Sequence, residues 1–257
     1  MSTAAPAQQI QALASGAQRL RSLVGQPLPA LDDQMYLRPG PSGCTAVSVD
    51  PGRRPQQGLI RPWAGADLGV WKRDLLRTLA ERDAQPTRVM PEKALQSLLI
   101  RDAIRNHGLM PILTECCPER PRLRFLTDGL AICSEAEKTA IDLLAIRWED
   151  GLGIPVVIEL KSDRRLKRLT EQVSAAAVLV AAERTAFAQL AEAHWGEPVR
   201  LAANAERWII WPAAGEDRHG DLDPRDAKCR TDGVRLVTYS GTAGQDLRLQ
   251  AASRIQP

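Results

Sequence analysis

Residues 141–148 and 155–160 follow the two-residue period of β-strands, in which successive side chains point to opposite faces. In the first stretch Leu144, Ile146 and Trp148 share the face of Asp142, and Ile141, Leu143 and Ala145 line the other. In the second, Val156, Ile158 and Leu160 form an apolar row, while Val157 extends the face of Glu159 and Lys161 back into the core. With both faces covered, these read as central strands packed between helix layers. Leu123–Cys133 predicts a strand before them, residues 207–211 one after, ended by Pro212, and residues 234–239 a last one following Asp232-Gly233.

A three- and four-residue period marks the helices. Leu95, Leu99 and Ala103 predict one opened by Pro91 and closed at His107-Gly108, with Pro111 preventing continuation. Leu166, Leu169, Val173, Ala177 and Val180 predict a second over residues 163–182, capped by Ser162 or Asp163. Upstream, Ile10, Leu13, Ala17, Leu20 and Val24 make residues 7–24 an amphipathic helix suited to packing or dimerisation. Seven prolines divide residues 25–65 into turns and short strands, the best candidate being 44–49. A helix over 67–83 and a linker over 83–87 follow, and residues 215–232 read as a polar loop. The chain thus divides into a helical and proline-rich accessory region, 1–88, and a mixed α/β domain, 89–257, whose order is helix, three strands, helix, strand. It contains no internal repeat, phosphate-cradling glycine loop or low-complexity tract.

Charge changes this picture at three positions. Asp142, Glu159 and Lys161 stand in strands that otherwise read as buried, and an ionised carboxylate there costs several kcal/mol unless paired, hydrogen-bonded or bound to a metal. Glu159 and Lys161 project together, so the lysine can neutralise one acid. A hard divalent cation with oxygen ligands, magnesium or manganese, suits the pair better, because it also holds water and phosphate.

In their strand contexts, Ile-Asp-Leu-Leu and Val-Val-Ile-Glu-Leu-Lys, these residues resemble the signature of the PD-(D/E)xK nuclease superfamily, particularly its NucS-like and restriction-endonuclease-like branches. The resemblance covers roughly residues 89 to 240 and leaves the first 88 unexplained. It implies an αβββαβ core and magnesium-dependent phosphodiester hydrolysis, in DNA in preference to RNA. Asp142 and Glu159 would hold the ion with the Leu160 carbonyl, and Lys161 would orient or activate water. Two further positions are similar to those of family members, Glu92 in the first core helix and Gln172 in the second. Each has a second reading: Glu92 as an acid favoured by the helix dipole in a first turn, Gln172 as an ordinary surface glutamine. Arg164, Arg165, Lys167 and Arg168 likewise read either as a phosphate-binding run or as a solvated basic face. A nuclease-fold subunit that binds DNA or scaffolds an assembly without cutting, docked through the N-terminal region as a homodimer or on a protein partner, is the alternative.

Composition adds limits. With 257 residues and 44% hydrophobic content, one substantial core and a smaller appendage are affordable. A net charge of +3 is too small to diagnose nucleic-acid binding, and 28 arginines against six lysines look like codon bias. Five cysteines with no Cys-x-x-Cys pair and only three histidines argue against zinc and for a reduced, cytoplasmic chain. No Gly-x-Ser-x-Gly elbow is present, and His107, His194 and His219 have no nucleophile motif nearby. No segment approaches the ~18 uninterrupted apolar residues that span a bilayer.

Overall fold

A computed structural model describes residues 4–25, 30–32, 35–49, 56–62, 73, 77, 91–116, 122–134, 138–164, 168–213, 224–241 and 247–251. The chain starts with α1 (Pro6–Val24), where proline opens the first turn and Gly25, at φ 77°, closes the last by donating its N–H to the Arg21 carbonyl at 2.7 Å. An antiparallel sheet follows: β1 (Ala30–Asp32), β2 (Met35–Pro39), β3 (Gly43–Ser48) and β4 (Gln56–Pro62). The expected strand at 44–49 is thus β3. The helix expected over 67–83 and the linker over 83–87 lie outside the described residues, apart from isolated positions 73 and 77.

The larger unit continues with α2 (Pro91–Arg105), α3 (Pro111–Cys116), β5 (Leu123–Cys133), β6 (Lys138–Glu149), β7 (Leu152–Leu160), α4 (Leu169–Ala182), α5 (Arg184–Trp195), β8 (Glu206–Pro212), α6 (Pro224–Thr231), β9 (Arg235–Ser240) and β10 (Arg248–Ala251). Its strands form one mixed sheet in the order β10-β9-β8-β7-β6-β5. β5, β6 and β7 are an antiparallel meander; β7, β8 and β9 run parallel, and β10 is antiparallel to β9. The fold is therefore a mixed α/β sheet flanked by helices, with the αβββαβ order expected. β6 and β7 are joined through Asp150-Gly151, both at positive φ (50° and 77°), as a two-residue hairpin turn with right-handed strand twist demands.

Both faces of the sheet are buried. One carries Leu126, Leu144, Ile146, Val157, Ile209 and Trp211 against α1, α4 and α5; the other carries Phe125, Leu143, Ala145, Val156, Ile158 and Trp208 against α2, with Tyr36 and Val47 of the small sheet. The stripe of α1 (Ile10, Ala14, Ala17) belongs to the first cluster, so it is covered within this chain. Among the described residues no single helix is long and apolar enough to cross a membrane.

Three local expectations are corrected, and one helix is found where none was expected. Helix α4 starts at Leu169, not 163, because Arg168 takes a left-handed conformation (φ 62°) at its N-cap with no side-chain cap, so neither Ser162 nor Asp163 caps it. Beyond Ala182 the chain bends by 83° into α5, a helix whose start no glycine or proline announces. The polar stretch 215–232 contains α6, whose Cys229 is buried in the first cluster. Finally, Ile141 does not share a face with Leu143 and Ala145 but joins Leu144 and Ile146. Alternation breaks at Asp142, alongside Gly129 of β5, whose φ of 53° lies between the pairs Asp128↔Leu143 and Leu130↔Ile141.

Candidate active site

That break in alternation, beside the ordinary end of the β6–β7 ladder, builds the site. The last backbone pair on this side is Leu143↔Ile158. One residue on, the Asp142 carboxylate replaces the backbone: its Oδ2 accepts the Leu160 N–H at 3.0 Å. Asp142 is thereby fixed against the residue that follows Glu159. β7 instead continues alongside β8, where the Lys161 N–H donates to the Ile210 carbonyl at 2.9 Å, and the Tyr239 hydroxyl caps the Lys161 carbonyl at 3.1 Å.

Glu159 has only 11% of its side chain exposed, and its Oε1 pairs with the Lys161 ammonium at 2.6 Å. Burial and the neighbouring Asp142 push its carboxyl up to about 7, with Lys161 pulling the other way and Glu92 adding to the rise. Glu92, in the first turn of α2, is also raised, by burial and then by Asp142. Burial alone would lower the Lys161 ammonium, but Glu159, then Asp142 and Glu92, hold it above its ordinary value. A second cation, Lys93, lies 3.9 Å from Asp142 Oδ1. Glu92, Asp142, Glu159 and Lys161 thus act electrostatically on one another from α2, β6 and β7.

On its other side Glu159 opens into a cleft of ≈ 580 Å³ shared with Lys138, Thr139, Arg168, Glu171 and Gln172. Gln172 is exposed and lines that cleft, and Arg168 stands on its rim. Arg164 is occupied differently. Its guanidinium bonds Asp226 at 2.6 Å and the Pro212 carbonyl at 2.9 Å and stacks over Trp211, tying the segment after β7 to α6 and β8. Arg165 and Lys167 lie outside the described residues.

Three further polar groups surround Asp142 that the sequence pattern does not mark. Asp128 and Gln96 are fully buried, and Lys93 is half-buried beside them. Burial, opposed by a bond from its own backbone amide and reinforced by Asp142, pushes Asp128 up to about 8. Arg38 of β2 stands 3.5 Å away without hydrogen-bond geometry, too loosely to offset that burial, which also pulls the arginine down to about 10. The signal for Asp128 was available, since an acid within the apolar strand 123–133 is as anomalous as Asp142. Its Asp-Gly setting reads as a turn.

No group of three or more His, Cys, Asp or Glu side chains is assembled to hold a metal among the described residues. Magnesium does not need such a cage, since it keeps several waters and commonly takes one or two carboxylates. The donor chemistry suits such an ion: Asp142 and Glu159 are hard oxygen donors, each facing one ammonium (Lys93 at 3.9 Å, Lys161 at 2.6 Å), and Asp142 raises both Glu159 and Glu92.

No protein-family model matches the chain, and no curated protein matches it. Among solved structures, SfsA of Pyrococcus furiosus in complex with Ca2+ is similar at 13% identity and a TM-score of 0.32, over 88% of this chain and 92% of that one.

Proposed function

We propose that this protein is a metal-dependent nuclease that hydrolyses phosphodiester bonds, in DNA in preference to RNA. The observation that carries the reading is the electrostatic grouping of Asp142, Glu159 and Lys161, with Glu92, where the β6–β7 ladder ends, Glu159 also lining an open cleft. The PD-(D/E)xK resemblance implies the same set of groups.

Asp142 and Glu159, with the Leu160 carbonyl, would hold magnesium or manganese. A divalent ion there supplies the charge that acidifies water and offsets negative charge building on the phosphate. Its carboxylate neighbours favour the protonated form of Lys161 in the metal-free site, and beside the ion Lys161 would orient or activate the attacking water. The Leu160 N–H fixes Asp142 Oδ2, and Oδ1, which faces the Lys93 ammonium at 3.9 Å, would meet the ion. The water oxygen forms a bond to phosphorus, the P–O bond to the leaving nucleotide breaks, and the departing oxygen takes up a proton. Arg168, Gln172 and Lys138 line the cleft along which a strand would lie; Arg164 belongs to the supporting structure.

The test is cleavage of single-stranded, duplex and branched DNA, and of RNA, by purified protein in magnesium or manganese. Asp142→Ala and Glu159→Ala should each lose on the order of a hundredfold or more, the scale of removing a group that stabilises developing charge. Equal cleavage by wild type and Glu159→Ala removes the reading. Salt-sensitive DNA binding with the substrate intact over long incubation supports the alternative, a silent nuclease-fold subunit.

A further inference from the structure

Asp142 is held from below as well as from β7. The buried Gln96 amide donates from Nε2 to Asp128 Oδ2 at 3.0 Å and reaches the Asp142 carbonyl at 3.4 Å. Its Oε1 accepts from Lys93 Nζ at 2.9 Å, and the same ammonium sits 3.9 Å from Asp142 Oδ1. One side chain therefore touches the backbone of Asp142 and places the cation facing its carboxylate. Gln96 is seated on Asp128, and Asp128 on the small N-terminal sheet: Arg38 Nη1 donates to the Asp128 and Gly129 carbonyls, both at 3.3 Å.

For stability alone this arrangement is a poor solution. Gln96 and Asp128 are 0% exposed, Arg38 Nε and Asp128 Oδ1 have no hydrogen-bond partner among the described residues, and burial pushes Asp128 towards its neutral form. Apolar residues of the same shape would pack here at no such cost. What the polar chain does that leucine cannot is fix direction: it ends on Asp142 where β6 abandons strand alternation, past the last β6–β7 pair and between the β5 pairs Asp128↔Leu143 and Leu130↔Ile141.

We propose that Gln96 is a positioning residue which, seated on Asp128 and Arg38, sets the Asp142 carboxylate for divalent-ion binding and makes the N-terminal sheet part of the site's support. This rests on the metal-dependent reading above and adds to it a role for residues to which the resemblance assigns none, Arg38 of the first 88 among them.

The test is Mn2+ affinity of the full chain without nucleic acid, by electron paramagnetic resonance, beside the melting temperature. Wild type should bind, and Glu159→Ala should not. Gln96→Leu should bind roughly 10–100-fold more weakly, the usual loss for a residue that orients a ligand, without a matching fall in melting temperature. Asp128→Asn keeps an oxygen to accept the Gln96 amide and should stay within about threefold of wild type, whereas Arg38→Met should weaken binding although it touches no proposed ligand. Wild-type affinity in Gln96→Leu overturns the inference while leaving the nuclease reading standing; no binding by wild type overturns both. Should Gln96→Leu fail to fold, the side-chain amide resonances of Gln96 in wild type decide: they should shift on Mg2+ addition, and a titration that leaves them still overturns the proposal.

Discussion

Removing the Glu159 charge should stabilise the metal-free protein, and the size of the effect follows from its surroundings. Burial and Asp142 raise its carboxyl from 4.5 to about 7 despite the 2.6 Å pairing with Lys161. An acid whose folded value lies above its unfolded value binds extra protons in the native state. Stability is therefore lost as pH rises from 4.5 through about 7, and the loss is complete above that. At about 1.4 kcal/mol per pH unit, ionised Glu159 costs the native state on the order of 3 kcal/mol at pH 8; discounting for solvent entering the cleft leaves ~2 kcal/mol. Glutamine keeps the shape of the neutral acid. Glu159→Gln in EDTA should therefore melt ~4–8 °C higher than wild type at pH 8, at ~2–4 °C per kcal/mol in a protein of this size. At pH 5 the gain should shrink below about 1 kcal/mol, because little of the carboxylate is then ionised in the native state. Paired thermal scans of the two proteins at both pH values make the measurement. A variant that is destabilised, or equally stabilised at both pH values, refutes the electrostatic account of this residue.

Arg164→Ala should cost about 1–3 kcal/mol in urea denaturation, since it strands a mostly buried Asp226 and empties the face of Trp211, whereas exposed Arg168→Ala should change stability by less than about 0.5 kcal/mol and act on nucleic-acid affinity instead. Gly129→Ala should destabilise by on the order of 1–3 kcal/mol in the same assay, because its φ of 53° suits glycine and an added Cβ meets the Arg38 guanidinium; wild-type stability would show that β5 can relax there. Lys161→Ala should leave part of the Mn2+ affinity in place while cleavage falls, and intact cleavage would remove the lysine from the mechanism.

The central sheet was legible because β6 and β7 are apolar on both faces, a pattern only a covered strand tolerates, and the same pattern made Asp142 and Glu159 stand out. What escaped the sequence is set by backbone geometry that side-chain period does not encode. The left-handed Arg168 delays α4 although Leu166 and Leu169 keep the helical spacing, and Glu183 breaks the helix inside a run of good helix formers. The twist at Gly129 and Asp142 sends Ile141 to the opposite face from Leu143, which strict alternation forbids. Gln96 borders the apolar stripe of Leu95 and Leu99, where a polar residue ordinarily marks the solvent side. Only the small N-terminal sheet and Asp128 together reveal that it is buried.

The central claim, that Asp142 and Glu159 hold one divalent ion, is tested most directly by anomalous diffraction from crystals grown with Mn2+. The account predicts a single strong peak in contact with both carboxylates, beside the Leu160 carbonyl, which disappears in Glu159→Ala. A peak bound elsewhere, or none at this position at saturating Mn2+, contradicts it.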